Sequence, residues 1–226
     1  MNGSINIVFD LDGTLIDSAP DIQAVASEIL GRLGKQGLSL EETRQFVGEG
    51  SAVFVSRMMA ARAIEETPAR HAAVYSDFLA LYERSVDKAV FYPGVLATLA
   101  VLKTAGHRLG LCTNKPERPA RAVIRHMGMG PIFDAVVDGG MIDSRKPAPD
   151  MLLKTIHDLG GGPTLYVGDS EIDAETAKRA HIPFALYTRG YHKTPCESIP
   201  HNWLFGDFSA LPDIVSERLR QAQARG

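Results

Sequence analysis

Four aspartates, one lysine and a threonine–asparagine pair stand out in the 226-residue chain, because most of them follow a short apolar run. Asp10 and Asp12 flank Leu11 and precede Gly13 and Thr14. If the chain stays extended there, both carboxylates project to one side. Gly13 permits an immediate turn, and Thr14 can satisfy the backbone groups that the turn frees. Two like charges so close raise one pKa or recruit a cation. Asp169 and Asp173 stand in Val167-Gly168-Asp169-Ser170-Glu171-Ile172-Asp173, where Gly168 suits a tight strand-to-helix turn. Oxygen donors of this kind with open positions suit Mg²⁺. Lys146, together with Thr113 and Asn114, adds positive charge and hydrogen-bond donors. Such a set complements the spread negative charge of a transferring phosphoryl group. One carboxylate in line can act as nucleophile, and a second can protonate the leaving oxygen and then activate water.

Each segment also has a plain structural meaning. Asp10-Leu-Asp12-Gly13 is equally a turn at a strand end, and Ser170 to Asp173 equally fits a helix capping box. Lys146 lies in Lys146-Pro-Ala-Pro149, where a lysine is usually an exposed loop residue, and Thr113-Asn114 fits an ordinary turn. Taken singly, none of the four decides anything.

The elements that must position them follow from periodicity. Ile5 to Phe9 reads as a buried first strand. Ser18-Ala-Pro20-Asp21 supplies an N-cap, an early proline and a first-turn acid, and Ile22, Val25, Ala26, Ile29, Leu30 and Leu33 follow at helical spacing. From there to about Val90 the pattern is helical, broken at Gly48-Glu-Gly50, and no strand is expected between Leu15 and Val90. Beyond Tyr92-Pro-Gly94, strands at His107–Thr113, Ala135–Val137, Thr164–Val167 and Pro183–Tyr187 alternate with helices at Val95–Thr104, Pro119–Met127, Pro149–Leu159 and Ile172–Ala180. A last helix starts near Leu211. This alternation predicts an α/β fold, a doubly wound parallel sheet with helices on both faces. Ligands bind beyond the carboxyl ends of such strands, where Asp10, Asp12, Thr113, Asn114, Asp169 and Asp173 fall.

Composition sets the outer bounds. With 45% hydrophobic and 23% charged residues, the chain can bury a real core, and disordered, collagen-like and coiled-coil classes are out. A net charge of −3 gives no basic field for nucleic acid or anionic membrane. No apolar stretch approaches the ~18 residues that span a bilayer, and no signal-peptide pattern is seen. Two cysteines form no disulfide framework, and Cys112 fits a small buried side chain, so a reducing, cytoplasmic setting is expected.

Taken in order, Asp10-x-Asp12-Gly-Thr, Thr113-Asn114-Lys-Pro, Lys146-Pro-x-Pro and Gly-Asp169-Ser-x-x-Asp173 closely resemble the four motifs of the haloacid dehalogenase-like hydrolase superfamily. They are most similar to its phosphoglycolate phosphatase group. The resemblance implies Asp10 as nucleophile and Asp12 as general acid/base. It implies Thr113 as a phosphoryl hydrogen-bond donor with the Asn114 backbone amide, and Lys146 as the charge neutraliser. Mg²⁺ would be held by Asp169, the Asp10 carboxylate and the Asp12 backbone carbonyl, with Asp173 acting directly or through water.

The resemblance also implies a catalytic core of residues 1–14 and 91–226, interrupted by a small helical cap over 15–90. A cap of this kind excludes water and reads the rest of the substrate. Val47-Gly48-Glu-Gly50, with Arg57 beyond it, resembles the cap loop and following helix of phosphoglycolate phosphatases, so Gly50 and Arg57 are candidate substrate contacts. Arg57 fits a surface helix arginine at least as well. The implied partner is a small phosphorylated metabolite, with 2-phosphoglycolate the best single choice, and the implied assembly is a monomer or homodimer. A sugar-phosphate phosphatase or phosphomutase of the same superfamily is the alternative. A receiver-like phospho-aspartate module is a further one, although it has no use for Asp12. A dehalogenase has no use for Asp12, Asp169 or Asp173, and Lys35 and Lys88, the cap lysines, lie in no recognisable Schiff-base motif.

Overall fold

Strand β1 (Asn6–Phe9) alternates Ile7 and Phe9 on one face with Val8 on the other, and all of these side chains are fully buried. A strand buried on both faces belongs in the middle of a parallel sheet. The computed structural model, which describes residues 3–224, puts it there. Strands β2 (Ile16–Asp17) and β3 (Val90–Phe91) form a separate ribbon. The main sheet adds β4 (Arg108–Cys112), β5 (Ala135–Val137), β6 (Thr164–Gly168), β7 (Phe184–Tyr187) and β8 (Trp203–Phe205). Its order is β5-β4-β1-β6-β7-β8, with every pairing parallel, and Phe9 stands level with Leu111 on one side and Val167 on the other. The order reverses direction at β1, and such a reversal opens the crevice where doubly wound sheets bind ligands.

Helices cover both faces. Helices α1 to α4 are Ala19–Arg32, Leu40–Phe46, Ser51–Ala61 and Pro68–Tyr82. Beyond them lie α5 (Val95–Thr104), α6 (Glu117–His126), α7 (Asp150–Asp158), α8 (Glu171–Ala180) and α9 (Leu211–Gln223). Ile7, Phe9, Leu109, Leu111, Leu165 and Val167 pack against α5, α6 and α9. Val8, Cys112, Val137 and Tyr166 pack against α7 and α8 on the opposite face. Gly110 lets α7 sit close on β4, since a Cβ there would lie 2.7 Å from Thr155 Cγ2. Cys112 is buried and unbridged as expected, and burial pushes its thiol up to about 12, which leaves it unreactive.

Helices α1 to α4 gather around a core of their own, including Ile22, Val25, Leu30, Phe54, Met58, Phe78 and Tyr82. The fold is therefore an α/β doubly wound core carrying an inserted helical unit. Two expectations are corrected. Residues Ile16–Asp17 form a short antiparallel ribbon with Val90–Phe91, so a strand does lie within the stretch read as free of strands. Two residues are too few for any period to show, and the ribbon exists because both ends of the insertion must leave the sheet side by side. Trp203–Phe205 adds a sixth strand at the sheet edge, where Leu204 is exposed and no apolar run advertises it.

Within the helical unit, Ser39 and Glu42 form a reciprocal capping box at the start of α2. The Glu42 carboxylate also accepts two 2.8 Å hydrogen bonds from Arg62, which follows α3 and donates further to the Gln36 and Gly37 carbonyls. The Arg62 bonds, with the Ser39 backbone bond, hold the Glu42 carboxyl down to about 2 from its ordinary 4.5. A depressed carboxyl stabilises the fold fully above about pH 4.5, and that contribution is lost as pH falls through about 2. Glu42→Gln is therefore expected to lower Tm near neutrality, with the gap to wild type closing as the pH approaches 2. A gap independent of pH would show that the charge contributes nothing.

Candidate active site

The turn after β1 is built on one carbonyl. Leu11 O accepts from the N–H groups of Thr14, Leu15 and Ile16, and Gly13 N–H donates to Ile16 O. Gly13 takes φ +90°, and a Cβ there would collide with the Asp169 carboxylate. Asp10 and Asp12 line the same two cavities, as expected, but by a different route. The strand ends at Phe9, and this coil of the backbone, not strand alternation, aims both carboxylates at one space. Ser18 occupies the N-cap position of α1 but makes no capping bond. Its hydroxyl donates to Asp12 Oδ1 at 2.5 Å instead. The first turn of α1 is held from outside by Tyr191, whose hydroxyl accepts from Ser18 and Ala19 N–H and donates to Asp17.

Lys146 is buried, against the usual fate of a loop lysine, and all three of its N–H groups are used. They reach Asp10 Oδ1 and Asp173 Oδ1, each at 2.8 Å, and the Tyr166 hydroxyl at 3.1 Å. Burial works against its charge, but the two aspartates outweigh burial and hold the ammonium well above the ordinary lysine range. Asp173 is crowded as well. It accepts from Lys146, the Tyr166 hydroxyl and the Ser170 hydroxyl, and it closes the capping box of α8. Burial would raise its pKa, yet these partners bring it below the ordinary value. One side chain therefore closes the capping box and belongs to the acidic cluster at once.

The remaining carboxylates are short of positive charge. Burial, only partly offset by Lys146, pushes Asp10 up to about 7. Burial and the charges of Asp173 and Asp10 raise Asp169 well above its ordinary value, although Thr14 Oγ1 and Tyr191 N–H donate to it at 2.7 and 2.6 Å. One oxygen from each of Asp10, Asp169 and Asp173 lies within 4.8 Å of the others. A small cavity of about 20 Å³ adjoins them, lined also by Asp12 and Glu171. Three carboxylates that share one buried ammonium, with room beside them for water, fit a hard divalent cation.

On the other side of Asp10 and Asp12 lies a cavity of about 40 Å³. The core contributes Thr113, Asn114, Lys115 and Lys146, and the helical unit contributes Gly48, Gly50, Ser51, Phe54, Phe78 and Tyr82. The Asn114 side-chain amide donates to Gly48 O and Lys146 O and accepts from Lys146 N–H, tying the helical unit to both core loops. Arg57 is not brought to this cavity. It pairs with Glu49 and donates to Phe46 O, bracing the 46–50 loop.

Lys115, Tyr82, Ser51 and Tyr191 are not among the sequence candidates, and Ser18 is one only as a helix N-cap. Lys115 Nζ donates to Asp12 Oδ1 at 3.0 Å and to the Tyr82 hydroxyl, and lies 4.2 Å from the Tyr82 ring centre. Its position directly after Thr113-Asn114 at a strand end was the available signal. Tyr191 follows β7, so the rule of carboxyl ends applied to that strand would have reached it. Tyr82 follows Phe78 at helical spacing and looks like core, which it also is.

The comparisons with known proteins agree with this geometry. Residues 6–181 match the haloacid dehalogenase-like hydrolase family. The chain belongs to the haloacid dehalogenase-like hydrolases. Among curated relatives of this hydrolase, the phosphoglycolate phosphatase of Rhodobacter capsulatus is 42% identical over 92% of the chain and 95% of its own length. That of Rhodospirillum rubrum is 38% identical over 92% and 89%. A solved structure described as a predicted phosphoglycolate phosphatase from Haemophilus somnus superposes with TM-score 0.87 at 26% identity, over 95% of this chain and 98% of that one. A β-phosphoglucomutase from Clostridium difficile shares the fold at TM-score 0.78 and 16% identity. This hydrolase is an enzyme of the phosphoric monoester class.

Removing one partner from a buried ion pair costs about 3–5 kcal/mol, because the other charge stays buried and unpaired. Lys146→Met is accordingly expected to destabilise the protein by ~3 kcal/mol or more in urea unfolding. Adding Asp173→Asn should return part of that loss, and strict additivity of the two changes would show that the pair is not coupled.

Proposed function

We propose that the protein hydrolyses 2-phosphoglycolate to glycolate and phosphate, with Mg²⁺, through a phosphorylated Asp10. The observation that carries this reading is the identity of about 40% with phosphoglycolate phosphatases over nearly the whole chain. The cavity supports a compact substrate. At about 40 Å³ it is small, which favours a compact substrate over a hexose.

The chemistry divides among the residues at the strand ends. Lys146 holds Asp10 Oδ1, and among the described residues nothing bonds Oδ2, the oxygen free to attack phosphorus. Ser18 and Lys115 both hold Asp12 Oδ1, which leaves its Oδ2 for the proton. Asp12 delivers that proton to the ester oxygen as the bond to phosphorus breaks and glycolate departs. It then takes a proton from the water that attacks phosphoryl-Asp10, releasing phosphate and restoring both carboxyl groups. Thr113 binds the phosphoryl oxygens, with the Asn114 backbone amide beside it, and Lys146 neutralises charge there from its place on Asp10.

Asp10, Asp169 and the Asp12 backbone carbonyl would hold Mg²⁺, and Asp173 would orient that set while it binds Lys146. When bound, the cation supplies charge neutralisation for phosphate and nucleophile. Residues 15–90 act as the lid, with Gly48 and Gly50 over the phosphate end of the cavity.

Asp10→Asn is expected to abolish turnover on 2-phosphoglycolate while leaving the thermal unfolding transition in place. EDTA should silence the wild type, and added Mg²⁺ should restore it. A comparison of kcat/KM across 2-phosphoglycolate, hexose phosphates and nucleotides tests the substrate, with 2-phosphoglycolate expected to rank first. Full activity in Asp10→Asn would mean that another residue is the nucleophile.

A further inference from the structure

The substrate must offer the cavity more than a phosphate, because the cavity has donors that the phosphate end does not use. We propose that Lys115, the Ser51 hydroxyl and the N-terminus of α3 together seat a carboxylate that the substrate carries beside its phosphate ester. The proposal rests on the reading of the enzyme as a 2-phosphoglycolate hydrolase and names the groups that recognise the acid.

Three observations converge on this seat. Lys146 has spent its three donors on Asp10, Asp173 and Tyr166, so it has none left for a second anion. Lys115 has spent two, on Asp12 and Tyr82, and its third N–H has no partner among the described residues. Its ammonium lines the cavity and is fixed there by the Tyr82 hydroxyl and ring. Across the cavity, α3 begins at Ser51 with Gly50 as its N-cap and no side chain capping it. The N–H groups of the first turn therefore lack intrahelical partners and carry the positive end of the helix dipole. Ser51 is buried and lines the cavity, and its hydroxyl makes no hydrogen bond among the described residues. Ile22, Val47, Phe54 and Phe78 supply the apolar part of the wall, and Asp10, Asp12, Thr113, Asn114 and Lys146 its polar, reacting part. A carboxylate placed between Lys115 and α3 would satisfy a lysine N–H, a serine hydroxyl and helix N–H groups at once.

The position relative to the reacting atoms narrows the substrate class. Lys115 touches Asp12, the group proposed to protonate the leaving oxygen. An anion held on Lys115 thus lies within a few bonds of that oxygen. This is the spacing of a phosphate esterified to the hydroxyl of an α-hydroxy acid, where one carbon separates ester oxygen from carboxylate. The seat is also divided between the two parts of the fold, with Lys115 on the sheet and Ser51 on the helical unit. Binding the acid therefore favours the arrangement in which the lid is down, as Asn114 and Gly48 already show it.

The test is the ratio of kcat/KM for 2-phosphoglycolate to that for ethyl phosphate, which replaces the carboxylate with a methyl group. In the wild type this ratio should exceed about 100. Ser51→Ala, which suits a helix start, should lower it by about threefold to tenfold, mainly through KM for 2-phosphoglycolate. Lys115→Met should lower it by more than about tenfold. A high wild-type ratio left unchanged in both variants would overturn the seat while sparing the substrate reading. An equal loss on both substrates in Lys115→Met, with no effect of Ser51→Ala, would also overturn it and assign Lys115 to the placement of Asp12 alone. A wild-type ratio near one would remove 2-phosphoglycolate as the substrate before any variant is made.

Discussion

Lys146 between Asp10 and Asp173 is the contact on which the rest of the site depends. A buried lysine is tolerated only with its charge matched, and here two carboxylates and a tyrosine hydroxyl accept from all its N–H groups. The same pair of contacts joins the end of β1 to the start of α8 through the loop after β5. Three segments far apart in sequence are thereby held at fixed distance. The arrangement still leaves Asp10 and Asp169 raised by burial, a standing deficit of positive charge. That deficit explains why the cluster suits a cation and a phosphoryl group together, since each alone would overcompensate or undercompensate it.

The two buried lysines of the site differ in what they have left to give. Lys146 is saturated, and its work is to hold charge and geometry around the proposed nucleophile. Lys115 is anchored by Asp12 and Tyr82 and keeps a donor facing the cavity. A structural cation and a recognition cation can thus stand in one small space without competing for the same anion. Tyr82 gives this a wider reach, since it belongs to the core of the helical unit and to the cavity at once.

Several of the contacts that join the helical unit to the sheet reach the site. The ribbon Ile16–Asp17 with Val90–Phe91 forms the neck. Tyr191 holds the first turn of α1 through its hydroxyl and Asp169 through its backbone N–H, so one residue sets the entry to the lid and the acidic cluster. Asn114 spans to Gly48 from the core side. These contacts connect the helical unit directly to Asp169 and to the loop that carries Lys146.

The sequence by itself determined the architecture and pointed to the residues proposed to react. Strand and helix periods were strong enough to give five of the six sheet strands, and the strand-end rule placed Asp10, Asp12, Thr113, Asn114 and Asp169 at one edge. What it left out was short or double-purpose. Two-residue and edge strands carry no period, and Tyr82 and Ser51 look like ordinary helix positions. Ser18 has the residue type of an N-cap but bonds to Asp12, and Arg57 has the look of an anion contact but turns to Glu49. Residue type and spacing report what a side chain can do, and the partners it meets across 100 residues of chain decide what it does. Only the tertiary structure could engage all three N–H groups of Lys146, leave one on Lys115 without a partner among the described residues, and bring Lys115 and the start of α3 to one cavity.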